Sequence, residues 1–430
     1  MTEQQAIRPA GVSAVPWTRP DGSVACFDRR SFFRRIDWWA ARLPLAGVTF
    51  VSKIGAPKLA SLGISLAIPF IYLGWLVGLA AGRLVVDPGR CMLFMATMAL
   101  LWSLQIIQGD HFSLLSLLML SVLHFPYVFA GRTSAGGMAR GWSAYREIST
   151  LIAVCGLVQY FVQFAVGPQL AFPMDNLVPE PLRVLGFNGQ GWIEYGSSII
   201  RSNGVFMLEA SFFSQLLAIA LIGELVMGKP SLVRMAIYVC GILVSYSGTG
   251  LLSLMACLPV WIVRRRRWDV ALCILCAALL MAAVYASGWA GDSEILKVFL
   301  DRSNEFTSTG SSGFARFVGG YYMFEQFLWP DMWRTLFGFG AGSFLGYSEV
   351  ANYAAHGMAL FKMIFEFGLV GAVAYFAFLV YCFSTSDAPL ELKVAIFVPL
   401  LIQNYVPFAH GVAFVVLIWS TSSRKSVVWR

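Results

Sequence analysis

The chain has 430 residues, 58% of them hydrophobic and only 13% charged, with 34 Phe and 14 Trp, so most of it belongs in lipid and not around a water-soluble core. Its net charge of +8 does not make it a nucleic-acid binder, because the bases sit in short clusters beside apolar runs, the pattern that positive-inside topology leaves. Seven of the eight cysteines lie in or at the ends of apolar segments and Cys26 lies in the N-terminal tail, which disfavours disulfides. The lone pair Cys273 and Cys276 has no second pair to complete a zinc site.

In chain order, residues 1–37 form a polar tail with Pro9, Pro16 and Pro20 and the cluster Arg29, Arg30, Arg34 and Arg35. The first apolar run starts too late for a cleavable signal peptide. Length, hydropathy and flanking Gly, Pro and charge predict helices over 38–54, 59–81, 90–107, 112–131 and 146–167. After a polar break they predict helices over 203–227, 232–247, 249–263, 269–288, 356–383, 392–405 and 408–421. The organisation expected is a cytoplasmic tail 1–37, N-terminal transmembrane helices 38–167 and a first outer loop 168–202. Central helices 203–288, a large outer segment 289–355, C-terminal helices 356–421 and a cytoplasmic tail 422–430 follow. The fold class is therefore an all-α polytopic membrane protein of about twelve transmembrane helices with two long outer loops, the larger partly helical.

Charge asymmetry supports this orientation. With the N-terminus inside, Arg132, Arg140, Arg146, Lys229, Arg234, Arg264 to Arg267, Arg424, Lys425 and Arg430 all fall on the cytoplasmic side. The turns at 108–111, 247–249 and 405–408 carry no Lys or Arg. Lys53 and Lys58 would lie outside if 38–54 spans; the alternative is that this short segment lies in the interface.

The stretch from Gly288 to Ala355 carries seven acids against four bases, with many aromatics, in an otherwise membrane-like chain. A structureless loop of that length is uncommon unless it is functional. Two clusters on the outer side draw attention. In the first, Arg201 meets the start of the predicted 203–227 helix and Glu209 lies eight residues on, roughly 12 Å deeper along a helix axis. A carboxylate at that depth requires a partner or a wet cavity, and Ser211, Ser214 and Gln215 follow it. The second holds Arg316, the run Gly338, Gly340 and Gly342, then His356 opening a helix with Lys362 and Glu366 at i and i+4. The glycines lack the G-x-G-x-x-G spacing of a nucleotide fingerprint. His111 and His410 are placed in outer turns, His410 between the last two helices. Tyr321, Tyr322, Trp329 and Trp333 suit either sugar stacking or membrane anchoring.

Taken in order, Arg201-x-x-Gly204 with Glu209, Ser247-Gly-Thr-Gly250, Arg316, the glycine run, and His356 followed by Glu366-x-Gly368-x-x-Gly371 resemble the O-antigen polymerase and O-antigen ligase superfamily over residues 200–375. Gly357 stands where that family often has Asn, and Ala315 precedes Arg316 where it often has Ser. Arg302 with Gly313 matches the R-x10-G pattern described for some polymerases. The resemblance implies a GT-C-like membrane glycosyltransferase of the bacterial inner membrane with its active site facing the periplasm. It implies an undecaprenyl-diphosphate-linked oligosaccharide as both donor and acceptor. His356 would be the catalytic base, and Arg201, Arg316, Glu209 and Arg302 the diphosphate or substrate-binding groups, with no metal and no cofactor. Membrane lipids, a chain-length regulator and a flippase are the partners it implies; nucleic acid is not. The residue chemistry fits independently, since arginine binds phosphate through paired hydrogen bonds and histidine titrates near neutral pH. A Wzy-type polymerase is the first reading. The alternatives are a ligase that moves glycan to lipid A core or protein, and a flippase for lipid-linked sugar, although no internal repeat of the transporter kind is visible in the sequence.

Overall fold

The computed structural model describes residues 15–18, 24–27, 29–55, 65–108, 113–131, 136–184, 191–193, 199–228, 230–287, 306–309, 311, 313–403 and 407–418. The described chain is mostly helical with little sheet. Pro88–Ile107, Met138–Val166 and Ala359–Ser384 are long and apolar enough to cross a membrane, and shorter apolar helices such as Ala67–Ala80, Ala210–Val226 and Leu232–Val244 accompany them.

Several boundaries differ from the sequence expectation for physical reasons. The first helix runs Arg29–Phe50, starting before residue 38 because arginine is a good helix former and extends the helix beyond its apolar part. The predicted 112–131 helix becomes Leu114–His124, a 3-10 turn Phe125–Val128 and a short strand Phe129–Gly131. Pro126 cannot donate to an α-helical ladder, and the strand pairs antiparallel with Leu84–Val86, so this part departs from all-α.

Close packing is set by small residues. Gly47 faces Phe70 and Gly74 faces Pro44, so the Arg29–Phe50 and Ala67–Ala80 helices approach where a Cβ would clash with either neighbour. The Ala210–Val226 helix is different in kind: every residue from Ser211 to Glu224 is buried, which makes it the central helix around which the others wrap. At one end Glu224 takes a two-point pair from Arg234, Nε to Oε1 at 2.8 Å and Nη2 to Oε2 at 3.1 Å. The Arg264–Glu391 pair at 3.3 Å closes two other helices together.

At the opposite end the loops gather. Ala341 donates its N–H to Gln105 Oε1 at 2.6 Å and accepts from the Ser113 N–H at 3.0 Å, which lays the glycine run across the ends of two helices. The same run breaks a helix. Gly368, at φ 64° and ψ −174°, interrupts Ala359–Ser384, and the Phe365 and Glu366 carbonyls accept from the N–H groups of Phe339 and Gly340 at 3.0 and 2.9 Å. Gly338, at φ 80°, lies so close that a Cβ there would stand 2.5 Å from the Glu366 carbonyl oxygen, while one on Gly368 would stand 2.2 Å from that of Leu336. Only glycine satisfies both the backbone angle and the spacing at Gly368.

Gly368→Ala should therefore lower the thermal midpoint of the purified protein sharply, since the backbone strain alone costs about 1–3 kcal/mol before the steric clash. Gly346→Ala is the matched control: it lies in the Ser343–Val350 helix with open space around it. Its midpoint should hold or rise, and equal loss in both variants would contradict the packed break.

Candidate functional site

The site is built on residues 199–209, which the sequence assigned in part to a helix. The structure corrects this: the helix begins at Ala210 with Glu209 as its N-cap residue in an extended conformation. Glu209 therefore stands at the mouth of the central helix and not roughly 12 Å down its axis. The reason is the number of hydrogen bonds available to the preceding backbone in a non-helical path. Gln159 Oε1 accepts from Ser202 Oγ at 2.9 Å and from the N–H groups of Asn203 and Val205 at 3.2 and 3.1 Å, while its Nε2 donates to Asn203 Oδ1 at 3.1 Å. Gln163, one turn on, donates to the Ile200 carbonyl at 3.2 Å and accepts from the Ile200 N–H at 2.9 Å. Gly204 and Val205 both adopt positive φ, 70° and 71°. For a β-branched residue this is a strained conformation, and buried Lys53 donates from Nζ to the Val205 carbonyl at 3.2 Å.

The Ser247-Gly-Thr-Gly250 stretch locks the next turn. Thr249 Oγ1 donates to the Ser211 carbonyl at 3.1 Å, and the Gly250 N–H donates to Ser214 Oγ at 2.8 Å. Gly250 has no room for a side chain, since a Cβ would lie 2.5 Å from both Ser214 oxygens. Glu209 is thus fixed from before and behind, and its Oε2 accepts from Ser211 Oγ at 2.8 Å.

Against this carboxylate stands Arg316, on the π-helical turn Phe314–Val318, with Nη2 3.5 Å from Glu209 Oε2 and both side chains about a quarter exposed. The separation makes it an ion pair with loose hydrogen-bond geometry. His356 joins them through the backbone: its N–H donates to the carbonyl of Ala315 at 2.7 Å. The residue is exposed. Partial burial withdraws water and pushes its pKa below the usual histidine value; Arg316 pushes the same way and Glu209 opposes it. His356 is thereby held neutral near pH 7. The expectation that it opens a helix is corrected: the helix starts at Ala359 with Met358 as cap residue.

The remaining expected residues fall as follows. Arg201 donates from Nη2 to the Ile193 carbonyl at 2.9 Å and its N–H bonds to the Gly191 carbonyl, so it ties residues 199–201 to residues 191–193. Arg302 and His111 lie outside the described residues. His410 is not in an outer turn: it sits inside the Pro407–Ala413 helix, buried, with its Nδ1 3.1 Å from the Tyr127 hydroxyl and its ring against His124. Tyr127 and His124 packed against its ring are what enclose it. Lys362 and Glu366 do meet as an i, i+4 pair at 3.7 Å, with the Glu366 side chain buried next to the helix break. Among the described residues, no group of three or more His, Cys, Asp or Glu is placed to hold a metal ion.

Sequence reasoning missed Gln159, Gln163 and Gln105, and weighed Lys53 only for topology. The available signal was two glutamines four apart in an apolar helix, a costly arrangement unless both amides face a polar partner. No protein-family model matches the chain, and no curated protein matches it in sequence.

Gln159→Leu should release the loop before Glu209, since it removes the acceptor of the buried Asn203 N–H, at a cost of about 1–3 kcal/mol, and one of the two acceptors of the part-buried Val205 N–H, the other being Asn203 Oδ1. Hydrogen–deuterium exchange should show the Asn203 and Val205 amides losing protection while the Ser214–Leu221 amides keep theirs. Unchanged protection at 203 and 205 would refute the clamp.

Proposed function

We propose that this chain is a membrane glycosyltransferase that polymerises undecaprenyl-diphosphate-linked oligosaccharide repeat units into an exopolysaccharide, capsule or O-antigen. On this reading about twelve helices cross the bacterial inner membrane, with residues 168–202 and 289–355 in the periplasm. The observation that carries it is the meeting of Glu209, Arg316 and His356, from three separate stretches of chain, at the loop end of the central apolar helix. The motifs through which the sequence resembles the O-antigen polymerase and ligase superfamily include all three.

The chemistry follows from these groups. The acceptor hydroxyl oxygen attacks the anomeric carbon of the donor sugar, the bond from that carbon to the phosphate oxygen breaks, and undecaprenyl diphosphate leaves with the bonding pair. His356 takes the hydroxyl proton. Arg316 meets the charge that grows on the leaving diphosphate, as a preorganised cation in a partly enclosed site. Glu209 holds Arg316 until the diphosphate arrives. A chain-length regulator and a flippase are the partners this reading implies. One observation favours a second reading: a discontinuous apolar helix beside a buried carboxylate, at Gly368 and Glu366, is a device of secondary transporters. A flippase would move lipid-linked sugar across vesicles without lengthening it.

With purified protein and lipid-linked repeat units, His356→Ala should lower the elongation rate by about 10²–10⁴. Because the base must be neutral and its pKa lies below the ordinary value, activity should persist down through pH about 6.5 and fall only below it. Arg316→Gln removes a cation that disfavours the imidazolium, so the acid limb of its residual activity should move to higher pH. Glu209→Gln should move the limb to lower pH. Limbs that stay put in both variants would take the proton transfer away from His356, and transfer to lipid A core without elongation would indicate a ligase.

Orientation is tested separately. In a cysteine-free variant, a cysteine at position 310 should react with an impermeant thiol reagent in whole cells and one at 265 should not. The reverse pattern would invert the proposed topology.

A further inference from the structure

Away from the Glu209–Arg316–His356 cluster, a strip of aromatic rings runs over the surface of the 313–358 segment. It begins beside the site: Phe314, two residues before Arg316, lies buried under Tyr322 and Tyr353 at ring separations of 5.9 and 6.5 Å, and Tyr353 is three residues before His356. Tyr322 contacts Tyr353 at 5.7 Å and Tyr321 at 6.2 Å, and Tyr321 meets Trp329 edge-on at 5.2 Å. The three outer rings are the exposed ones, Tyr321 at 44%, Tyr322 at 41% and Trp329 at 47%.

We propose that this strip is a binding platform for the glycan of the donor, whose sugar rings lie on the exposed Tyr322, Tyr321 and Trp329 with their reducing end towards the Arg316–His356 cluster. The proposal deepens the polymerase reading and rests on it for that direction. Two features select a carbohydrate. The strip is continuous with the cluster through Phe314 and Tyr353, so a chain lying on it reaches His356. Its polar rim also suits hydroxyl groups and not an anionic headgroup: Glu325 and Gln326 are exposed between the rings, and Gln326 Oε1 accepts from the Tyr353 hydroxyl at 2.9 Å. A pyranose presents an apolar C–H face to an aromatic ring and a hydroxyl edge to carboxylate and amide groups, which is the pairing of surfaces found here. An anionic membrane would be met by lysine and arginine, and would be repelled by Glu325.

Purified full-length protein would be applied to an array of bacterial surface oligosaccharides, and the best-bound glycan titrated against variants. Trp329→Ala and Tyr322→Ala should each weaken binding roughly tenfold or more, Trp329→Phe less, and Leu345→Ala, exposed elsewhere on the segment, not at all. Because the substituted rings are exposed, thermal midpoints should stay level. In vesicles of brominated phosphatidylcholine, the Trp329 emission, taken as wild type minus Trp329→Phe, should not be quenched. Quenching, absence of any bound glycan, or unchanged affinity in the ring variants would each overturn the platform. Binding on the strip without elongation of lipid-linked units would sink the polymerase reading and leave the platform standing. Elongation with an unaltered donor KM in the ring variants would do the opposite.

Discussion

The constraint on which the molecule depends is that the Ala210–Val226 helix is enclosed on every side. A helix without a solvent or lipid face must place its charges at its ends, and this one does: Glu209 at one mouth and Glu224 at the other. Glu224 is closed by the two-point contact from Arg234 and is structural. Glu209 is met by a single, longer contact from Arg316 and keeps about a fifth of its surface open. The two ends thus differ in the ease with which the carboxylate can give up its partner.

Fixing Glu209 requires the backbone before it to avoid the helix, and the energy for that comes from the neighbouring helix through Gln159 and Gln163. Their amides satisfy Ser202, Asn203, Val205 and Ile200 in a path that a helix would not permit, and the strain at Val205 is held by contacts on both sides. A parallel arrangement serves the other half of the site. The run from Gly338 to Gly342 inserts its backbone against Phe365 and Glu366, replacing part of the helical hydrogen bonding that Gly368 interrupts. The segment that carries Arg316 and His356 is thereby docked onto the apolar helices by backbone contacts, which orient it more firmly than side-chain contacts from a mobile loop would.

How much of this was legible in sequence depended on the kind of signal. Helix existence was legible from apolar length, and the approach of Lys362 to Glu366 from i, i+4 spacing. Glu209, Arg316 and His356 were found only as an ordered set of short motifs; no periodicity or spacing joins residues 209, 316 and 356, because a tertiary contact across a hundred residues leaves no local trace. The depth of Glu209 was misjudged because apolar residues such as Val205, Phe206, Met207 and Leu208 fit a helix pattern, while the competing hydrogen bonds come from a helix some forty residues earlier. His410 was expected in an outer turn, yet it is a buried helical residue hydrogen-bonded to Tyr127, because exposure depends on which neighbours pack against it and not on its place near a helix start. That the glycine run fills a break at Gly368 has no local sequence signal; it follows from the backbone contacts between Gly340 and Glu366 and the positive φ at both places.

On the proposed reading, the loose Arg316–Glu209 pair has a definite use. An ion pair at 3.5 Å between side chains a quarter exposed to water contributes at most about 1 kcal/mol. A diphosphate offers Arg316 up to two parallel charge-assisted hydrogen bonds, each stronger than the contact it replaces. The exchange therefore favours the substrate, and Glu209 turns to Ser211, already within 2.8 Å, so its charge stays satisfied after Arg316 leaves. The same exchange acts on His356. While Arg316 faces Glu209 the two charges partly cancel at the imidazole; once Arg316 is neutralised by phosphate, the cation that disfavours the imidazolium is masked and Glu209 remains to stabilise it. Donor binding thus raises the proton affinity of the base at the moment a proton must be accepted. This coupling needs all three residues at one helix mouth, and it accounts for an arginine, a carboxylate and a histidine being held together there and not spread along the polar segment.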